Sequence, residues 1–204
     1  KYFFGETISH LTFSPSGKEI MFLESGYRLR IYDIKTKKEI FSKDFGDKWI
    51  DDPTFSPSGK EIMVKECDKG LRIYDWETNE EIFSKDFKEN IYFSAFSPSG
   101  KEIMVEEALR RLRIYDWETN EEIFSKNFKE NIYFSAFSPS GKEIMVQEGD
   151  THLKIYDLET NEEIFSKDFE EEIFYPCFSP SGKEIMVQEG DTHLRIYKIK
   201  GEEK

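Results

Sequence analysis

The string FSPSGKEIM begins at Phe13, Phe55, Phe96, Phe137 and Phe178, so the 204-residue chain consists of five copies of one unit, spaced by 42, 41, 41 and 41 residues. A fixed period of this length marks units that stack on one another, because a unit this small cannot bury its own apolar faces. All five methionines occupy one repeat position: Met21, Met63, Met104, Met145 and Met186. Within a unit the pattern is one of strands and turns, with no helical periodicity. In the third unit it predicts strands over Ile91–Ser97, Glu102–Glu107, Arg111–Trp117 and Glu121–Phe128. Ser97-Pro98-Ser99-Gly100 turns the chain between the first two, the proline presetting one angle and the glycine permitting a positive one. Residues near Ala108 to Arg110 make the second turn, and Glu118-Thr119-Asn120 the third. The expected unit is a four-stranded antiparallel meander.

The units resemble the WD-repeat family of β-propellers over the whole chain. FSPSGK stands where that family has an FSPDGK-like turn, and the Ile-Tyr-Asp of residues 31–33, 73–75, 114–116 and 155–157 stands where the Trp-Asp dipeptide falls. Tyrosine replaces the signature tryptophan in every unit, Lys198 replaces the aspartate in the last, and no Gly-His pair follows the fourth strand. The resemblance implies a β-propeller with a non-catalytic interaction role and by itself would suggest six to eight blades; the five repeats make the expected fold an all-β, five-bladed β-propeller of four-stranded antiparallel blades, one domain over residues 1–204. In the repeat frame the end of the last unit and the start of the first lie two positions apart. That spacing predicts that Lys1 to Phe4 form the outer strand of the last blade and close the ring, giving a monomer without open sheet edges. Assembly of the units into a larger ring from several chains is the alternative.

Charge narrows the partners. With 42 acidic and 29 basic side chains the net charge is -13, whereas phosphate-backbone binding needs a basic face, so nucleic acid is not expected. No apolar run reaches the ~18 residues that span a membrane. Cys67 and Cys177 fall at unrelated repeat positions, which suits neither a disulfide framework nor a thiolate metal site. Two free thiols make the reducing cytoplasm the default compartment.

Differences among the copies point to a working surface. The turn between strands one and two is Ser-Pro-Ser-Gly-Lys in every unit, whereas the turn between strands two and three reads LESGYR, KECDKG, EEALRR, QEGDTH and QEGDTH. The segments before each first strand also vary, and in a meander they emerge at the same end as the variable turns. This end carries the candidate partner-binding residues Tyr27, Arg28, Trp49, Asp51, Asp52, Asp68, Lys69, Leu109, Arg110, Arg111, Asp150, His152, Asp191 and His193. Trp49, Leu109 and the arginine pair 110–111 are of the kinds weighed first at interfaces, Trp49 above all. Two readings stand side by side: variation selected by a protein or peptide partner on a rigid frame, or drift in tolerant turns. A lectin-like or small-ligand-binding propeller is the alternative function, but it would require the same pocket residues in each unit.

Chemistry has little support. Asp150-Thr151-His152 recurs as Asp191-Thr192-His193, but two histidines a blade apart do not make a metal site, and Gly-Asp is ordinary hairpin chemistry. His10 stands alone. Of the acids, only Asp51 and Asp52 lie on a first strand, both in one unit, and the rest are expected in turns and on solvent-facing positions. No Ser-His-Asp order, nucleophile motif or phosphate-cradling loop is present. No enzyme activity, metal or cofactor is expected. The recurring phenylalanines, Trp76 and Trp117 read as core.

Overall fold

The computed structural model describes residues 6–199, which form nineteen strands and no helix. The first sheet contains β1 (Ile8–Phe13), β2 (Glu19–Glu24), β3 (Arg28–Asp33) and β4 (Glu39–Asp44), and the second β5 (Ile50–Phe55), β6 (Glu61–Glu66), β7 (Gly70–Asp75) and β8 (Glu80–Asp86). The third has β9 (Ile91–Phe96), β10 (Glu102–Glu107), β11 (Arg111–Asp116) and β12 (Glu121–Asn127). The fourth has β13 (Ile132–Phe137), β14 (Glu143–Glu148), β15 (His152–Asp157) and β16 (Glu163–Asp168). The fifth shows three described strands, β17 (Ile173–Phe178), β18 (Glu184–Glu189) and β19 (His193–Lys198). Each sheet is a meander in chain order, and the strands expected in the third unit end within one residue of those observed. The closing strand expected at Lys1 to Phe4 lies outside the described residues. The chain divides into two compact units, Lys1–Ala95 and Phe96–Lys204.

Both faces of an inner sheet are covered. In the first unit Met21, Leu29 and Ile31 of one sheet pack with Ile50, Phe55, Ile62, Val64 and Tyr74 of the next. In the second unit Met145, Leu153 and Ile155 pack with Ile173, Ile185 and Val187 in the same way. Two-sided cover explains Tyr115, whose alternation with Leu112 predicts the opposite, outward face: that face is also covered, and its ring is 2% exposed.

The uniform turns owe their uniformity to side-chain hydrogen bonds. The hydroxyls of Ser14 and Ser16 donate to Glu19 at 2.5 and 2.8 Å, and Ser16 Oγ accepts from the Lys18 amide. Ser56, Ser58 and Glu61, and Ser138, Ser140 and Glu143, repeat the arrangement. Trp76 and Trp117 cap the turn by donating their indole N–H to the carbonyls of Gly59 and Gly100 at 2.8 and 2.7 Å. The aspartate of Tyr-Asp caps the other turn: Asp33 accepts from the Thr36 amide and hydroxyl, which holds its carboxyl below the ordinary aspartate range. Changing any member leaves a donor or acceptor without its partner, so these turns resist drift for structural reasons.

Acidic side chains are also less superficial than the sequence suggests. Glu24, Glu66, Glu107, Glu148 and Glu189, at the end of each second strand, are all buried. Each faces a base two places into the third strand: Arg30, Arg72, Arg113, Lys154 and Arg195 respectively. The tyrosine of Tyr-Asp joins from the side, as Tyr32 and Tyr74 donate to Glu39 and Glu81 at 2.8 and 2.9 Å. A Glu-base-Tyr-Glu arrangement occupies each of the first four sheets.

Candidate partner-binding site

The variable turns are anchored by main-chain hydrogen bonds that do not depend on which side chains they carry. In the first unit the amides of Ile50 and Phe45 donate to the carbonyls of Gly26 and Tyr27, both at 2.9 Å, and those of Ile91 and Phe87 to Asp68 and Lys69. In the second, Ile132 and Phe128 donate to Leu109 and Arg110, and Ile173 and Phe169 to Asp150 and Thr151. A turn held through its backbone can change side chains without losing its bonds. That physical fact makes these positions both tolerant and well presented.

Their backbone also carries strain. Ala108 and Leu109 take φ of 51° and 63°, and Cys67 and Asp68 49° and 62°. The Arg110 amide donates to the Glu107 carbonyl, so Ala108 and Leu109 are the two central residues of a type I′ turn. Asn and Gly are the residues that fit such positions at low cost; alanine, leucine and cysteine are retained against about 1 kcal/mol each.

In the first unit the first strands line a groove of about 530 Å³, formed by His10, Leu11, Thr12, Asp52, Pro53, Thr54, Tyr92, Phe93 and Ser94. Register shifts mark a bulge in β1 between Ser9 and Thr12 and in β5 between Asp51 and Thr54. At these bulges His10 and Asp52 adopt φ of 53° and 47°. A bulge re-aims side chains out of the alternating pattern, which explains how Leu11 comes to be 72% exposed on a first strand.

The bulges bring together residues that the sequence keeps apart. His10 does not stand alone: its Nε2 is 2.9 Å from Asp51 and 3.6 Å from Asp52. Lys65 Nζ lies 3.3 Å from both aspartates. Burial pushes the Lys65 ammonium down, but Asp52 and Asp51 outweigh it and hold the group above the usual lysine value. The ligand atoms of His10, Asp51 and Asp52 lie close enough to share a cation, but Lys65 already supplies one. With both carboxylates paired to the same base, neither is set apart as an acid or a nucleophile.

Trp49, directly before β5, is 51% exposed and meets Tyr27 edge-on at 5.4 Å. Gly26, at φ +73°, makes this possible, since a Cβ there would stand 2.5 to 2.8 Å from three indole atoms. Arg28 is engaged by Asp44 and Glu24, and the Lys69 ammonium donates to the Lys88 carbonyl at 2.9 Å.

A second groove, of about 340 Å³, lies in the second unit between Tyr133, Phe134, Gln147, Asp150, Glu172, Ile173, Phe174, Tyr175 and Pro176. Bulges again flank it, between Ile132 and Phe134 and between Phe174 and Cys177, with Tyr175 at φ 53° and 80% exposed. Asp150 belongs to this groove, while Arg110 and Arg111 donate to Asn131 and Asn127 at 3.0 and 2.7 Å. His152 bonds Thr151 and faces Asp168, and His193 bonds Thr192, so each histidine works within its own sheet. Asp191 and His193 are exposed. Tyr92, Phe93, Tyr133, Phe174 and Tyr175 were not among the expected site residues; prolines 53 and 176 inside first strands were the available sign, since strand prolines sit at edges or bulges. Cys67 and Cys177 are free and exposed.

Glu106 is a separate case. It is 5% exposed and accepts from the Ser135 hydroxyl at 2.6 Å. Burial raises its carboxyl above the ordinary value, with the serine bond opposing. A raised folded-state value means that the native state is penalised at neutral pH and relieved as pH falls through it. Glu106→Gln, the residue at the same repeat position in Gln147 and Gln188, is expected to raise Tm at about pH 7, with the gain shrinking towards about pH 4.5. Thermal melts of both proteins across that range check it.

No family model and no curated protein matches the sequence. By structure the chain is similar to the β-propeller domain of Cps50 (Swd1) from Myceliophteria thermophila, with a TM-score of 0.71, 16% identity, and coverage of 95% of this chain and 68% of that one. At that identity the likeness concerns fold alone: the sheets are blades of a β-propeller. No helix among the described residues is long and apolar enough to cross a membrane.

Proposed function

We propose that this WD-repeat-like β-propeller is a non-catalytic scaffold that binds a protein or peptide partner at the end where the variable turns and the first-strand bulges lie. The observation that carries the reading is the concentration of exposed apolar side chains there: Leu11, Trp49, Tyr92 and Phe93 in the first unit are 72, 51, 48 and 40% exposed. They border the larger groove or directly precede its strand, beside the ion-paired His10, Asp51 and Asp52. Large apolar groups on a rigid frame with a polar rim are the makings of an interface hot spot. A net charge of -13 favours a partner bearing basic residues and disfavours nucleic acid. The two grooves differ in their lining residues, which supports a partner of one defined sequence over a repeated sugar pocket.

Selection from a displayed peptide library on the folded domain, followed by titration, tests this. Selected peptides are expected to bind with basic and aromatic residues enriched, and Trp49→Ala is expected to weaken binding by about tenfold or more while leaving circular dichroism unchanged. Equal binding by Trp49→Ala would remove Trp49 from the site. Failure of selection together with retention of glycans on an array would move the function to sugar binding.

A further inference from the structure

The groove of the second unit carries acid without base. In the first unit Asp51 and Asp52, beside the larger groove, share Lys65. The same repeat position in the fourth sheet is Gln147, which lines the second groove and donates its amide to the carbonyls of Gly149 and Ile173 at 3.3 and 3.1 Å. Asp150 and Glu172 line that groove too, both exposed, and among the described residues neither carboxylate has an ion-pair or hydrogen-bond partner. The Ile173 amide donates to the Asp150 carbonyl at 2.8 Å, which places Asp150 beside the residue that follows Glu172. Aromatic rings make up much of the remaining lining: Tyr133, Phe134, Phe174 and Tyr175, of which Tyr133 and Tyr175 are 58 and 80% exposed.

We propose that this groove is a subsite for an arginine side chain of the partner. The inference deepens the partner-binding reading and rests on it for the chain that would carry the arginine. A guanidinium is planar and weakly hydrated, so it can lie on an aromatic face while its N–H groups donate to carboxylates. A lysine ammonium is compact and strongly hydrated, and gives up more water to enter an aromatic lining. At about 340 Å³ the groove is at the small end of ligand pockets, room for one side chain rather than a folded segment. The first groove is not expected to take an arginine, because Lys65 already answers its acids.

Nitrogen–proton NMR of the full chain, titrated with N-acetyl-arginine N-methylamide to tens of millimolar, tests this. Saturating shifts are expected around residues 133–134, 147–150 and 172–175, with none from the citrulline analogue, which keeps the shape and lacks the charge. Asp150→Asn combined with Glu172→Gln is expected to weaken binding by at least about tenfold. Gln147→Lys, which restores the base found at Lys65 and leaves both acids in place, is expected to do the same. Absence of shifts at these residues overturns the proposal, and so do equal shifts from the citrulline analogue or from capped lysine, or unchanged binding by the folded double variant. Because the probe is a single capped residue, the two readings fail separately. Selected peptides that bind through Trp49, with no arginine shifts in the second groove, remove the subsite alone. Arginine shifts there without any selectable peptide keep the guanidinium site and remove the scaffold reading.

Discussion

Ile155→Ala is expected to destabilise the protein by about 3 kcal/mol, whereas Ile196→Ala, the same repeat position one blade later, is expected to cost less than about 1 kcal/mol in dilute solution. Ile155 is fully buried in the cluster with Leu153, Ile173, Ile185 and Val187, so truncation leaves a cavity that β-sheets closed on both sides cannot collapse around. Ile196 pairs with Met186 in the same register in which Ile155 pairs with Met145, but nearly two-thirds of it is exposed. Urea denaturation at low protein concentration compares the two. Equal losses would show that the last face is covered in the isolated chain.

Glu148→Ala is expected to cost about 2 kcal/mol, because it removes a buried carboxylate that serves the partly exposed Lys154 and two backbone amides. Glu148 is 4% exposed, pairs with Lys154 and accepts from the amides of Lys129 and Glu130 at 2.6 and 3.2 Å. Burial pushes its carboxyl up, but the Lys154 bond and the two amide bonds together bring it below the ordinary glutamate value. The sign follows: its contribution is complete above the unfolded glutamate value near ~4.3 and is lost as pH falls through the lower folded value. The stability gap between wild type and Glu148→Ala should therefore be widest near neutrality and close in acid. Denaturant midpoints across pH check this; a gap independent of pH would mean that packing, rather than the charge, supports the position.

Much of this was legible from the repeat. Alternation and the Ser-Pro-Ser-Gly turns located the strands to within a residue because each local preference agrees with the final structure. Register between neighbouring sheets was not legible. The pairing of His10 with Asp51 joins residues 41 positions apart through two bulges, and a bulge breaks the period-two rule on which facing was read. The buried glutamates were hidden for a related reason: a polar residue at a strand end reads as solvent-facing until its base, two residues into the next strand, is brought opposite. Nor did uniformity among copies mean what the contrast of turns implied. The Ser14-Ser16-Glu19 bonds hold one set of turns constant, and main-chain bonds such as Ile50 to Gly26 free the other set to vary, so Trp49 and Leu11 argue for a partner by their exposure rather than by their variation.

Hydrogen exchange of the domain with and without a selected peptide tests the central claim most directly. The account predicts slowed exchange at the variable turns and bulged first strands, around residues 25–27, 49–54 and 92–94, with no change at the uniform turns around residues 14–19 and 56–61. Protection confined to the uniform turns would place the partner on the opposite end of the blades and contradict it.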